Sequence, residues 1–484
     1  MQSKLRTFAP LTALAVTLAG CATNPATGSS ELMLVSESQE VQMGRQADQE
    51  VIASIGLYPD SAWQRYIQQL GARMAARSER PNLPWTFRVM DDPAVNAFAI
   101  PGGFVYVTRG ILANLNSEAE LASVVGHEIG HITARHTARS MSRQQLAQLG
   151  LVVGSIASPT VARYAGLASQ AVGLLFLKFS RDDESQADHL GLRYMSRGGF
   201  AEREMPRVFE MLSRQSAAAG GSHLPQWLET HPDPANRREA MEREIAQLAE
   251  SGGTVNHEGY VRRLDGMVFG VNPRDGYFRG AEFLHPDMRF RMTFPGGWKM
   301  ANTAGAVQGM SAGEDAAIQL TLAREQGADA AARAFLAQTG IQSSGATRGA
   351  VNGLTAVGAA FAAQTESGVL RGTAMFIEHG GKVFSVIGYA PDASWSANQA
   401  AVEGALRSFA PLTDASALNV QPQRMDVITT SQSTTIADLL RQRPSPLSAD
   451  LLALVNQTEP NTALRPGLVK WVVGARFDQA SGSH

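Results

Sequence analysis

The sequence predicts a multidomain fold in three parts: a mainly α-helical domain with a small β-sheet, then an α+β domain, then a small βααβ unit. Three observations support this division. The chain has 484 residues, of which 44% are hydrophobic, enough for several cores at about 150 residues per domain. Helical periodicity and capping signals dominate residues 31–255, whereas strand-like and helical runs alternate in residues 256–415. A linker-like stretch, residues 411–423, leads into the last unit, residues 416–475.

The composition excludes several classes of protein. The formal charge is −2 and no long basic run occurs, which argues against nucleic-acid binding. The single cysteine excludes an intrachain disulfide and a cysteine-based metal site. Outside the extreme N-terminus no uninterrupted apolar stretch is long enough for a membrane span, so a polytopic membrane protein is excluded too.

The first 20 residues indicate export. A positively charged start precedes an apolar run that is too short to cross a bilayer. Leu18-Ala19-Gly20-Cys21 resembles a bacterial lipobox, in which the cysteine is acylated and becomes the new N-terminus. Because Ala22 rather than aspartate follows, this resemblance implies attachment to the outer membrane, facing the periplasm. An ordinary cleaved signal is the alternative. Residues 21–30 are expected to be a flexible tether.

Local signals define the elements of the first domain. Capping residues predict three helices, which start after Ser36, Asp60 and Ser117 and run to about residues 54, 77 and 127 or beyond. Strands are expected at 86–90 and 103–107, and further helices at 201–215 and 234–250. The apolar segment 149–179 is interrupted by proline and charged residues, and it is interpreted as buried or lipid-facing helices.

The two later parts are predicted in less detail. The α+β domain is expected to contain strands at 288–294, 317–322, 356–363 and 383–389, and helices at 328–338 and 395–409. No motif predicts its role, and partner or substrate docking is one hypothesis. The last unit is expected to have the order strand, helix, helix, strand. Residues 476–484 are expected to form a disordered tail.

The strongest chemical signal is His127-Glu128-Ile129-Gly130-His131, an HExxH pattern. On a helix, residues four apart lie on one face, so both imidazoles can bind one zinc ion. Glu128 is then placed to act as a general base on a zinc-activated water. Since the chain has only 10 histidines, a chance match is rare. Gly126 and Gly130 each cost a helix up to about 1 kcal/mol, which predicts a close-packed neighbour.

A catalytic zinc site needs a third protein ligand and an open position. Glu184 and Asp188, further along the chain, are four residues apart and share one helix face. Glu184 is expected to bind the metal. Asp188 is expected to accept the second N–H of a ligand histidine and so fix its tautomer. A solvated acidic helix start would suit the same residues, but the HExxH pattern favours the metal interpretation.

These motifs, HEIGH followed by SRxxExxAD, resemble the gluzincin metallopeptidases related to HtpX and the CAAX prenyl proteases. Within that group the chain is most similar to the soluble periplasmic lipoproteins of the BepA and LoiP type. The resemblance covers about residues 31–250. It implies a zincin-type metalloprotease domain with one Zn²⁺ per chain, held by His127, His131 and Glu184. It also implies an edge strand beginning near Asn96, with which a substrate backbone pairs.

Two further histidines have open roles. His231 could donate to the oxyanion of the tetrahedral intermediate. By resemblance to the BepA-like proteins, it would instead occupy the open zinc position and hold the enzyme latent. An ordinary turn histidine before proline is the third interpretation. His136 lies five residues after His131, so a continuous helix would point it away from the metal. It is interpreted as structural or as an indirect support of the site, not as a ligand.

Two competing patterns lie outside this domain. Residues 309–313 match the G-x-S-x-G pattern of serine hydrolases, but a strand follows Ser311 where a helix is required, so a hairpin turn is favoured. Residues 424–475 resemble a degenerate LysM module, a βααβ fold that binds N-acetylglucosamine polymers. Thr434-Thr435-Ile436 replaces the usual Gly-Asp-Thr-type turn, so a purely structural cap is an equal alternative.

The sequence therefore predicts a zinc endopeptidase of the periplasm, anchored to the outer membrane by a lipid on Cys21. Its expected substrates are polypeptides, namely misfolded or stalled envelope proteins. That expectation comes from the resemblance alone. The alternative is a non-catalytic lipoprotein that contains zinc and binds envelope proteins or peptidoglycan. The general base Glu128 favours the enzyme, since a structural site has no need of one.

Overall fold

A computed structural model describes residues 21–148, 178–218, 226–232, 234–248, 252–343, 345–365 and 368–475. The predictions made for the signal segment, the apolar segment 149–177 and the tail lie outside these residues. The chain divides into two compact units. The first combines residues up to Phe269, apart from 53–55, with Arg424–Val473. The second is built mainly from Gly270–Gln423.

The segment predicted to be a flexible tether has a defined structure. Residues Cys21–Thr23 (β1) and Ser30–Leu32 (β2) pair as an antiparallel hairpin. Asn24 is fully buried between them, and its side-chain amide donates to Glu31 Oε1 at 3.0 Å and to Ala134 O at 3.1 Å. The tether prediction is therefore wrong for these residues, because a buried asparagine ties the hairpin to the peptide backbone of a distant helix.

The helices of the first unit begin where their capping residues predict. The Ser36 side chain and Gln39 form a complete capping box, and Asp60 accepts from the N–H groups of Ala62 and Trp63. The bounds of the helices before the second unit are α1 Glu37–Ile55, α2 Ser61–Ala75, α3 Arg109–Asn114, α4 Glu118–Thr133, α5 His136–Gln148, α6 Arg181–Arg197, α7 Met205–Ala218, α8 Gln226–Thr230, α9 Pro234–Ile245 and α10 His257–Arg263.

A three-stranded sheet lies beside these helices in the order β3-β5-β4. Its strands are β3 Thr86–Met90, β4 Ala97–Ile100 and β5 Phe104–Thr108. Strand β5 pairs parallel with β3 and antiparallel with β4. Strand β4 thus forms one edge of this sheet, and it packs against α4. The two predicted strands are confirmed, and β4 corresponds to the edge strand that the resemblance implies.

The first unit extends beyond the predicted boundary at residue 255. Helix α10 and strand β6 (Val268–Phe269) pack into its core, since Tyr260, Val261 and Val268 are buried in the same cluster as the residues around α4. The boundary therefore lies at Phe269. Helix α10 begins after Asn256, whose side chain makes no capping hydrogen bond to the helix.

The last part of the chain also belongs to the first unit. It has the predicted βααβ order, with β19 Gln423–Thr430, α14 Ile436–Gln442, α15 Ala449–Val455 and β20 Gly467–Val473. Strands β20, β19 and β6 form one sheet. Lys470, 1% exposed, donates through Nζ to Ala113 O and Leu115 O, both at 2.9 Å. The expected separate unit is thus built into the first one, and its likeness to LysM modules stays a prediction.

The second unit is α+β, as predicted. Its main sheet contains β10 Lys299–Asn302, β11 Val307–Met310, β12 Ala317–Leu322, β13 Ile341–Ser343, β14 Thr347–Val351, β15 Leu354–Thr365, β16 Gly368–His379 and β17 Lys382–Pro391. Helices α11 (Ala328–Leu336) and α12 (Asp392–Arg407) pack into two separate cores. Alternate residues of β16 enter these two cores, so the helices cover opposite faces of the sheet.

A smaller sheet completes the second unit in the order β18-β9-β8-β7. Its strands are β7 Tyr277–Arg279, β8 Glu282–His285, β9 Phe290–Thr293 and β18 Ala410–Pro411, and the short helix α13 (Ala415–Leu418) follows them. Among the residues described in the two units, no helix is both long and apolar enough to span a bilayer.

Candidate metal centre

Two helices carry the residues predicted to bind the metal. Helix α4 starts at the Ser117 cap and carries the HExxH pattern, whose residues are all buried. Helix α6 starts at a capping box formed by Ser180 and Asp183 and carries Glu184 and Asp188. Each helix therefore begins at a residue that its own cap fixes. The local sequence thus determines which residues lie on the ligand-bearing face of each helix.

Glycines allow these helices to approach backbone to backbone. A Cβ atom on Gly130 would lie 2.9 Å from Ala187 O, and one on Gly191 would lie 2.9 Å from His127 N. A Cβ atom on Gly126 would lie 3.0 Å from Gly191 O. The close-packed neighbour predicted from the glycines of α4 is therefore α6. The glycines lower the helix propensity of both segments. They also allow the two ligand-bearing faces to pack closely, and this packing offsets the cost in propensity.

Four side chains converge at one point. His127, His131, Glu184 and His231 each offer a ligand atom, and these atoms all lie within 4.8 Å of one another. The Nε2 atoms of His127 and His131 are 3.0 Å apart, and His131 Nε2 lies 3.5 Å from Glu184 Oε1. His231 follows α8 and directs its Nδ1 atom to Glu184 Oε1 at 2.9 Å. The sequence-predicted ligands are thus brought together, with His231 as a fourth candidate.

Asp188 contacts the ring nitrogen of His127 that it was predicted to bind. Its Oδ1 atom lies 2.9 Å from His127 Nδ1 and accepts the ring N–H. Arg237 binds the same carboxylate through Nε and Nη2, both at 2.7 Å. Burial raises the pKa of Asp188, but the Arg237 guanidinium outweighs burial and holds this pKa below its usual value. The carboxylate stays ionised, which leaves the lone pair of His127 Nε2 free for a metal.

The electrostatics of the centre fit a divalent cation. Among the described residues that line it, the carboxylates of Glu128, Glu184 and Asp188 face the single guanidinium of Arg237, all buried. With neutral imidazoles their sum is −2. Glu184 Oε2 is buried and accepts no hydrogen bond within the described part of the chain, although Arg237 Nη1 lies 2.8 Å away. Buried charge of this size is costly unless a cation balances it.

Trp227, which no sequence prediction named, binds Glu128, the residue predicted to be the general base. Its Nε1–H donates to Glu128 Oε1 at 3.3 Å. Its ring stacks on His231 with centroids 4.8 Å apart, and Phe179 faces His231 at 5.9 Å, both at an interplanar angle of 28°. Two aromatic rings therefore contact the imidazole of His231. No local sequence signal marks Trp227 as the partner of Glu128, because these two residues lie 99 positions apart along the chain.

The expectation that His136 points away from the metal needs correction, whereas the interpretation of His136 as an indirect support and not a ligand agrees with its position. Helix α4 ends at Thr133, and Arg135 adopts a left-handed conformation with φ of 57°. The chain reverses there, so His136 lies under the metal-binding face with its Nδ1 atom 2.9 Å from His131 Nδ1. Extending α4 past residue 133 would have pointed it away. The group of candidate ligands does not include His136, and burial lowers its pKa to about 3.

The competing serine site is not assembled. Ser311 accepts from the N–H groups of Asp315 and Ala316, both at 3.0 Å, and donates to Asp315 Oδ1 at 2.7 Å. These bonds close a turn between β11 and β12. The predicted hairpin turn is confirmed. His285 ends strand β8, and its Nδ1 accepts from the N–H of Met288, as a residue at a turn would.

Comparison with known proteins agrees with this geometry. Residues 61–245 match Peptidase family M48. The beta-barrel assembly-enhancing protease of Yersinia pestis is 34% identical over 222 residues, covering 44% of this chain and 45% of that relative. The mitochondrial metalloendopeptidase OMA1 of Arabidopsis thaliana is 34% identical over 168 residues, covering 34% and 33%. The chain therefore spans less than half the length of these curated relatives.

Among solved structures, cyanobacterial PsbP from Synechocystis matches 28% of this chain and 94% of its own length. The TM-score is 0.24 and the sequence identity 12%. A likeness of this size carries no argument about fold or function.

Proposed function

We propose, from the match of residues 61–245 to Peptidase family M48, that this protein is a zinc-dependent endopeptidase. The observation that carries the proposal is the convergence of His127, His131 and Glu184 with the carboxylate of Glu128 beside them. Three protein ligands and one open position are the coordination of catalytic zinc sites, and an adjacent carboxylate supplies the general base. A structural zinc site would have no use for the base.

The residues divide the chemistry among them. A bound zinc ion supplies Lewis acidity and makes water a nucleophile near neutral pH. Glu128 accepts the proton of the attacking water and passes it to the leaving amine. The Trp227 indole holds one oxygen of this carboxylate, which leaves the other oxygen to exchange the proton. Asp188 and Arg237 hold His127 in the tautomer that binds the metal.

The described conformation supports a latent enzyme. His231 is 2% exposed, as are His127 and Glu184, so a polypeptide cannot reach the centre without a movement of the segment around His231. Its Nδ1 atom points to the ligand atoms, whereas its Nε2 atom lies 3.7 Å from Glu128 Oε1. This orientation favours the role of a fourth ligand over that of an oxyanion donor. Displacing residues 226–231 would open the position that substrate needs.

The cellular role is proposed from the N-terminus and from the relatives. The lipobox that ends at Cys21 supports a lipoprotein of the outer membrane, facing the periplasm. The name of the Yersinia pestis relative, a beta-barrel assembly-enhancing protease, supports a role in quality control of envelope proteins. We therefore propose unfolded or misassembled envelope proteins as substrates. Peptidoglycan binding by residues 424–475 has no further support.

The test uses the soluble chain from Ala22, its zinc content and its cleavage of an unfolded protein such as reduced casein. We expect one zinc per wild-type chain. Glu128→Gln should keep the zinc and lose cleavage, since only the base is removed. His231→Ala should keep the zinc and cleave faster than wild type. Glu239→Gln, an exposed change on α9, serves as the matched control and should behave as wild type.

The outcomes separate the alternatives. A chain without zinc would refute the metal assignment. Zinc without cleavage in all four proteins would instead favour the non-catalytic lipoprotein that binds envelope proteins. Slower cleavage in His231→Ala, with zinc retained, would assign this residue to transition-state stabilisation in place of latency.

A further inference from the structure

The reversal at Arg135 places a chain of three polar side chains behind the metal centre. His131 Nδ1 lies 2.9 Å from His136 Nδ1, and His136 Nε2 lies 2.7 Å from Gln186 Oε1. The reversal itself is held by Arg135, whose side chain donates to Glu40 Oε1 at 2.5 Å and to Val35 O at 2.6 Å. A left-handed arginine is unfavourable by itself, so these buried bonds maintain the contact between the two histidines.

The direction of these bonds follows from counting hydrogens. A neutral imidazole carries one N–H and one lone pair. His136 is 1% exposed, and burial disfavours its charged form. Its Nε2–H donates to the Gln186 oxygen, so its Nδ1 must be the acceptor. His131 therefore donates through Nδ1–H, and its Nε2 presents a lone pair to the metal.

We infer that Gln186 and His136 are positioning residues that together hold His131 in the metal-binding tautomer. The inference rests on the proposed function, since it needs a metal at the centre. Reversing the glutamine amide would reverse every bond of the chain and put a proton on His131 Nε2, 3.0 Å from His127 Nε2. A proton there excludes the metal. The orientation of one amide thus selects between a centre that binds metal and one that does not.

A neighbouring carboxylate supports the orientation that binds metal. Asp183 Oδ1 lies 3.7 Å from His136 Nε2, so its negative charge favours a hydrogen on that nitrogen. The same Oδ1 atom of Asp183 also pairs with Arg139. Helix α6 therefore supplies the partners of both histidines. Asp188 contacts His127 directly, whereas Gln186 acts on His131 through His136.

The position of Gln186 makes the inference testable without disturbing the core. Gln186 is half-buried and lines a surface cavity of about 770 Å³ together with Ser185. Gln186→Glu keeps an acceptor and cannot donate. Gln186→Met introduces a side chain of similar size that can neither accept nor donate this hydrogen bond. Ser185→Ala, one residue away in the same cavity, is the matched control. His136→Leu removes the middle of the chain of bonds.

The measurement is the zinc dissociation constant of each variant, by competition with a chromophoric chelator at pH 8, with the Tm of the metal-free protein alongside. Gln186→Met should bind zinc about 10-fold more weakly than wild type, and His136→Leu up to about 100-fold more weakly. Gln186→Glu and Ser185→Ala should stay within about threefold of wild type. The metal-free Tm of both Gln186 variants should match wild type, because a purely structural role would lower it.

Equal zinc affinity in Gln186→Met and wild type would overturn the inference. An equal loss of zinc affinity in Gln186→Glu and Gln186→Met would also overturn it, because only Gln186→Met removes the hydrogen-bond acceptor. These results differ from a failure of the proposed function, in which wild type itself would bind no zinc. In the zinc-loaded wild type, ring nitrogen NMR spectra should show His136 protonated at Nε2, and protonation at Nδ1 would count against the proposed direction.

Discussion

Gly191→Ala is the substitution that most directly tests how the two ligand-bearing helices create the centre. Gly191 lies in the middle of α6, where alanine would ordinarily stabilise a helix by about 1 kcal/mol. Here a Cβ atom would lie 2.9 Å from His127 N and 3.1 Å from Gly126 C. Both contacts are backbone atoms, so no side chain can rotate away. The added methyl group can only be accommodated by separating α6 from α4.

The size of the effect follows from these distances. An ordinary contact begins at 3.4 Å, so the helices must part by about 0.5 Å at Gly191. Overpacking of this kind costs about 1 to 3 kcal/mol, which exceeds the gain in helix propensity. We expect a net loss of up to about 2 kcal/mol in the free energy of unfolding. Glu184 moves with α6, and since metal sites tolerate errors of only about 0.5 Å, zinc affinity should fall about 10-fold or more.

The assay combines urea unfolding with zinc competition. Gly404→Ala is the matched control, because Gly404 lies within helix α12 and a Cβ atom there meets nothing within 4 Å. The control should be as stable as wild type or more stable, and it should bind zinc equally well. If Gly191→Ala were also stabilised and kept full zinc affinity, the argument that backbone contact between α4 and α6 sets the geometry would be refuted.

Two further predictions concern the rest of the fold. Lys470→Met should lower the free energy of unfolding by about 2 kcal/mol, because two buried carbonyls at the end of α3 lose their donor; urea midpoints check this, and an unchanged midpoint would contradict it. Burial lowers the pKa of His285 from 6.5 to about 4. The free energy of unfolding should therefore be highest above pH 6.5 and should fall by about 3 kcal/mol as the pH is lowered towards 4. His285→Gln should abolish this loss, as hydrogen exchange in β8 and β9 at pH 7 and pH 4.5 can show, and an equally steep loss in the variant would argue against it.

The parts of the centre that the sequence predicted are those set by local rules. The residues His127 and His131, or Glu184 and Asp188, are one helical turn apart, and turn spacing alone puts each pair on one face. The caps at Ser117 and Ser180 are equally local. Helix propensity also predicted that some neighbour packs closely against α4, since the cost of Gly130 had to be offset, but it did not identify α6 as that neighbour.

The parts that it missed depend on contacts far apart in the chain. His136 was placed by extending α4 beyond its end, and the reversal at Arg135 depends on Glu40, which is 95 residues away. The last part of the chain was expected to be separate because its own pattern is complete. Its buried lysine instead bonds carbonyls 355 and 357 residues earlier. Neither periodicity nor capping contains such information.

The charge of the centre joins folding to metal binding. The close approach of α4 and α6 places Glu184 and Asp188 beside the histidines. Together with Glu128, these residues give three buried carboxylates that face the guanidinium of Arg237. With neutral imidazoles, packing of these helices without a cation would leave a buried charge of −2. Burial lowers the pKa of His231, but the carboxylates of Glu184 and Glu128 outweigh burial and raise this pKa, as an excess of negative charge requires. The backbone contact that positions the ligands therefore also buries the negative charge that a cation balances. Any ligand that binds only the folded state stabilises it, so the metal stabilises this pair of helices and the pair, in turn, orders the ligands for the metal.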